Sequence, residues 1–90
     1  MQKLEQEITI ENTHGLHARP AALFVQLANK YHSSVKIEKD GEMVDGKSII
    51  GLLSLGINRG VCIKLIVEGI DADQALIELK DFLEKDHEQN

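Results

Sequence analysis

Gly15-Leu16-His17-Ala18-Arg19-Pro20-Ala21 marks where a helix begins. Proline is tolerated in a helix's first turn, because its missing N–H would have no partner there in any case. Pro20 heads an apolar run with helical spacing, so the helix starts near Ala18 or Arg19. His17 then falls at or beside the N-cap. Backbone N–H groups and the positive end of the helix dipole point outward at that end, and Gly15 permits a close backbone approach. An imidazole, a guanidinium and a set of amides converge on one small volume. This is an anion site with a nucleophile in it, although a histidine before a helix can also serve as a weak cap or a plain surface residue.

Reading outward from there, Lys3–Ile10 alternates, with Leu4, Gln6, Ile8 and Ile10 on one side, which predicts a half-buried strand. After a polar loop at 11–15 the first helix runs to about His32. Ala21, Phe24, Val25, Leu27, Ala28 and Tyr31 share its apolar face, and Gln26, Asn29 and Lys30 take the other. Lys30 and His32 sit near its C-terminal end, where positive charge is favoured. Ser34–Glu38 reads as a strand with Val35 and Ile37 inward. Asp40-Gly41 is a two-residue hairpin signal, and Met43–Asp45 returns as a short strand. Val61–Glu68 is β-rich: Val61, Ile63, Leu65 and Val67 face the core, and Cys62, Lys64, Ile66 and Glu68 face away. Asp71–Asp86 is the last helix, striped by Ala72, Ala75, Leu76, Leu79, Phe82 and Leu83. His87–Asn90 is expected to fray. One apolar stripe per helix and one apolar face per strand predict an α+β fold. It has two layers, a four-stranded sheet with helices on one face, in a single domain over residues 1–90.

A second informative stretch lies between these elements. Ser48 opens a short helix in Lys47-Ser48-Ile49-Ile50-Gly51-Leu52-Leu53-Ser54-Leu55-Gly56, and Gly56 before Ile57 suits a helix stop. Leu52 and Leu55 fall together toward the core. Ile49, Ile50 and Leu53 point elsewhere, either as an exposed docking surface or packed under a neighbouring loop. Ser48 is an N-cap. A phosphate there would sit well on the dipole and would add roughly two negative charges to the patch.

The totals exclude several classes. The chain has 90 residues, 42% apolar and 28% charged, with a net charge of −5. No apolar run approaches the ~18 residues of a membrane span, and no signal peptide is legible. One cysteine, Cys62, allows no internal disulfide, and the cytoplasm is the expected compartment. An acidic balance with one tyrosine, two phenylalanines and no tryptophan argues against nucleic-acid binding, which uses basic faces or stacking aromatics. His14 and His17 form an H-x-x-H with no neighbouring cysteine or acid to complete a metal set. A lone nucleophile at a helix end, with no general base in register, suits a substrate shared between enzymes better than an enzyme.

The two quoted stretches, in register, resemble HPr, the histidine-containing phosphocarrier of the sugar phosphotransferase system, and the resemblance spans nearly the whole chain. It implies an open-faced β-sandwich, a four-stranded antiparallel sheet with three helices on one side. It implies that His17 takes a phosphoryl group through Nδ1 from phosphorylated enzyme I and passes it to the A components of sugar permeases. Arg19 matches the arginine that helps hold the group, together with the Ala18 and Arg19 amides. Ser48 matches the serine phosphorylated by HPr kinase/phosphorylase. Ile49, Ile50 and Leu53 match the apolar contact surface, with Lys47 beside it. No cofactor and no metal are implied, and a monomer is expected. Two alternatives stay open: a carrier of a nitrogen-related branch with the same chemistry, and a regulatory interaction module that transfers nothing. Non-transferring relatives lack the histidine that His17 supplies. Gln26 and Asn29 stand where many relatives carry lysine.

Overall fold

The computed structural model describes residues 2–85. Four strands and three helices alternate as β1 (Gln2–Thr9), α1 (Ala18–Ala28), β2 (Ser34–Lys39), β3 (Glu42–Asp45), α2 (Ile49–Ser54), β4 (Cys62–Gly69) and α3 (Ala72–Leu83). The strands form one sheet in the order β1-β4-β2-β3, antiparallel throughout. Register places Ile8 opposite Ile63 and Leu4 opposite Val67, with Val35 and Ile37 opposite Val67 and Leu65. Alternation therefore sends these side chains to one face, where the helices cover them. Phe24, Ala28, Leu52, Ala75 and Leu79 complete the core, and Phe24 meets Phe82 at a ring separation of 6.1 Å. This is the α+β architecture read from the alternation.

The opposite face carries Glu5, Lys36, Lys64 and Glu68. Ile66 lies on it as expected, but it is buried there, flanked by Glu5 and Lys36 on the adjoining strands. The β2–β3 hairpin turns at Asp40 and Gly41, both with positive φ (52° and 84°). That is the backbone signature that makes Asp-Gly a tight-turn pair.

Two helix ends differ from the sequence reading. Helix α1 stops at Ala28, with Asn29 as its C-cap, so Lys30 and His32 lie beyond it. The stop comes from tertiary contacts. The Tyr31 hydroxyl bonds Glu78 on α3, and Asp71 accepts the His32 and Ser33 N–H groups at 2.9 Å each and the Ser33 hydroxyl. Lys30 Nζ meets Glu78 at 3.2 Å, an exposed pair of the kind worth ~0–1 kcal/mol. The hydrogen bond to Glu78, with partial burial, pushes the Tyr31 phenol up to about 12. Glu78 is held below the usual carboxylate range by Tyr31 and then Lys30. Helix α3 ends at Leu83 rather than Asp86, and Asp86 and His87–Asn90 lie outside the described residues.

Asp71 makes a pH prediction. The Ser33 hydroxyl, then the His32 and Ser33 amides, lower its carboxyl to about 2. A depressed folded-state value means that its contribution is fully present above the unfolded value of ~3.9 and is lost as pH falls toward 2. Thermal melts of the protein should therefore lose midpoint across that window, and Asp71→Asn should show a flatter pH profile there. Parallel profiles would remove Asp71 as the source.

Candidate functional site

The site is built on a pinned loop. Asn12 is 4% exposed. Its side-chain amide donates to Gly15 O at 2.8 Å, and Gly15 N donates back to Asn12 O at 2.9 Å. Leu16 N then reaches Ile57 O at 2.8 Å, which docks the loop against the segment after α2. Gly15 takes φ +72°, and a Cβ there would lie 2.3 Å from Ile57 O and 2.7 Å from Asn58 Cα. Only glycine permits both the conformation and the approach.

His17 is the N-cap of α1, with extended backbone (φ −86°, ψ −168°) and no side-chain capping bond. The ring is therefore not spent on the helix end. The first intrahelical bond runs from Ala21 N to His17 O at 2.9 Å. Pro20 has no N–H, so Ala18 and Arg19 supply the first-turn amides that an anion would meet. No acidic residue lies in that first turn to compete for the dipole. Ala18 and Arg19 are exposed and His17 is half-buried. The structure thus brings together His17, Ala18 and Arg19 at one helix end. It also brings in His14, whose ring meets the His17 ring edge to face, with centroids 5.9 Å apart.

The second patch lies on α2, packed beside α1. Leu52 and Leu55 are buried, as their spacing predicts, whereas Ile49, Ile50 and Leu53 are 36%, 78% and 42% exposed. The packed-under-a-loop alternative therefore does not hold for them. Leu23 on α1, 40% exposed, is a further large apolar side chain that the apolar face read from the spacing did not include. Ser48 caps the helix, its hydroxyl accepting from Gly51 N at 3.1 Å. At the other end Lys39 Nζ donates to Leu55 O at 3.0 Å and Gly56 O at 3.3 Å, and Gly56 takes φ +60°. A six-residue helix is marginal by itself; here both ends are fastened. Lys47 is placed differently from a free docking cation, since its ammonium bonds Tyr31 O at 2.8 Å and ties the α1–β2 connection to the start of α2.

Residues 4–85 match the family described as "PTS HPr component phosphorylation site". The chain belongs to the HPr family. The structure of the HPr phosphocarrier of Bacillus anthracis str. Ames has a TM-score of 0.89 at 43% identity, covering 92% of this chain and 99% of that one. The HPr-like protein Crh of Halalkalibacterium halodurans is 49% identical over 83 residues, 92% of this chain and 99% of its own length. Crh of Bacillus subtilis, described as the "catabolite repression containing protein", has a TM-score of 0.76 at 43% identity, covering 96% and 99% of the two chains.

That Crh structure overturns the expectation of a monomer, because it is described as a dimer with a "swapping domain". The physical reason is general. Exchanging an identical element between copies reproduces the same contacts at low cost, so a small closed HPr fold does not dictate a single copy. Among the described residues no helix is long and apolar enough to cross a membrane, and no group of three or more His, Cys, Asp or Glu side chains could hold a metal ion.

Proposed function

We propose that the chain is a phosphocarrier acting as one unit over residues 1–90 in the cytoplasm, phosphorylated on His17 by enzyme I and discharged to the A components of sugar permeases. The observation that carries this reading is His17 at the start of α1, its ring making no cap bond, next to Ala18 and Arg19, the first two residues of the helix. A neutral imidazole nitrogen attacks the donor's phosphorus. The new N–P bond forms as the donor's bond to phosphorus breaks, and the donor group leaves with its electron pair. The amides, the dipole and the guanidinium hold the oxygens. These contacts are few and open to solvent, which suits a group that must be given up again. The test is reconstitution: phosphoenolpyruvate, enzyme I, this protein and a permease A component. Phosphorylation of the A component that depends on this protein supports the reading, and transfer at the same rate without it removes it.

Ser48 is the regulatory position in this reading, with HPr kinase/phosphorylase as its modifier, and Ile49, Ile50 and Leu53 form the docking surface. Ser48→Asp keeps a side-chain acceptor at the N-cap and adds charge beside that surface. Its affinity for enzyme I, measured by titration calorimetry, should fall roughly tenfold, or ~1.4 kcal/mol, with the thermal midpoint nearly unchanged. Unchanged affinity would leave Ser48 as a cap alone.

A second reading has its own support. The 49% identity to an HPr-like Crh favours a regulatory module that docks through α2 and transfers nothing. His17 separates the two, because the resemblance implies that non-transferring members lack a histidine at this position. A nitrogen-branch carrier would share the His17 chemistry and differ in its partners.

A further inference from the structure

The H-x-x-H of His14 and His17 has no role in the reading above beyond His17 itself. In the folded chain the two rings are in edge contact, at 5.9 Å between centroids and 74° between planes. His14 is exposed, yet its position is set, because the loop bearing it is closed by the Asn12–Gly15 bonds and docked through Leu16 N on Ile57 O.

We infer that His14 is a second phosphoryl-contact residue: once His17 carries a phosphoryl group, the His14 imidazolium donates an N–H to one of its oxygens. This rests on the carrier reading. A phosphoryl group brings close to two negative charges and three acceptor oxygens. The helix end supplies two amides and one guanidinium, and Pro20 supplies nothing. His14 approaches from the loop, a direction the helix does not serve. With the centroids 5.9 Å apart, the inference requires a phosphoryl oxygen, two bonds out from a His17 ring nitrogen, to come within hydrogen-bond reach of the neighbouring ring. A charge-assisted donor of this kind is about twice as strong as a neutral one.

The charged and titratable groups on the elements around this loop are Glu11 before it, His17 and Arg19 at the start of α1, and Arg59 beside Asn58, against which Gly15 packs. Glu11 and Arg59 share a surface hollow with Glu7 and Glu84. Histidine is the side chain whose charge changes across the physiological range. By linkage, a phosphoryl group that raises the His14 titration midpoint is itself held more tightly, by the same factor, when His14 is protonated. The carrier would keep its phosphoryl group better as pH falls.

The test is an NMR titration of the imidazole resonances of the whole protein, before and after charging with phosphoenolpyruvate and enzyme I. On phosphorylation of His17 the His14 midpoint should rise by about one unit, a tenfold coupling. A second readout is the phosphorylated fraction at equilibrium with enzyme I. His14→Ala should lower it several-fold relative to the unsubstituted protein near about pH 6 and much less near about pH 8.5, well above the range in which an imidazole ordinarily carries charge. An unmoved His14 midpoint in protein with phosphorylated His17 overturns the inference and leaves the carrier reading intact. A His14→Ala effect equal at both pH values also overturns it. Failure of His17 to take the group removes the carrier reading and the inference together.

Discussion

His17→Ala should fold like the unsubstituted protein and accept no phosphoryl group. Two independent features set this expectation. The His17 side chain makes no capping bond and is half-buried outside the apolar core, so truncation leaves that core intact and costs on the order of 1 kcal/mol. The chemistry has no substitute in the first turn of α1. Ala18 and Pro20 carry no nucleophile, and the Arg19 guanidinium stays protonated. The loss of transfer should therefore be complete rather than partial. Circular dichroism and a thermal melt check the fold, and intact mass after treatment with phosphoenolpyruvate and enzyme I checks the transfer. A phosphoryl gain that survives in the variant would move the site away from His17.

Gly15→Ala should damage both stability and transfer. At φ +72° an L-residue costs about 1–2 kcal/mol, and the added Cβ would sit 2.3 Å from Ile57 O. Neither Ile57 O nor Asn58 Cα is the flexible end of a side chain, so the loop or the segment after α2 has to move. Overpacking of this kind costs a further ~1–3 kcal/mol. A total of about 3 kcal/mol lowers the melting midpoint of a domain this size by roughly 15 °C. The movement also breaks the Leu16–Ile57 bond that sets His17 at the helix end, so transfer should slow more than stability alone predicts at temperatures where the variant is folded. A midpoint within 2–3 °C of the unsubstituted protein, well inside the ~4–8 °C expected per kcal/mol, would show that the close approach is not required.

The start of α1 was legible because Pro20 is a local signal: it acts in the first turn whatever else the chain does. The end of α1 was not legible. Apolar spacing continues through Tyr31, and the chain leaves the helix because Glu78 and Asp71, more than 35 residues away, claim Tyr31, His32 and Ser33. Capping of α2 divides the same way. Ser48 could be read from its neighbours, whereas Lys39 reaches Leu55 O from 16 residues back and announces nothing in its own strand. Lys47 looked like a surface cation beside an apolar patch, and it holds a carbonyl of the preceding connection instead. His14 was visible as one half of an H-x-x-H pair, but spacing in a loop carries no direction. The Asn12–Gly15 bonds and the positive φ of Gly15 close the loop, and in the folded chain the His14 ring meets that of His17. Assembly was beyond reach for another reason: an exchanged element makes identical contacts in one copy or two.

The most direct measurement is the intact mass of the unsubstituted protein after incubation with phosphoenolpyruvate and an enzyme I of demonstrated activity, before and after brief acid treatment. The carrier account predicts a gain of one phosphoryl group that acid removes, as a phosphoramidate on imidazole requires. No gain, under conditions where the same enzyme I charges another HPr, would contradict it.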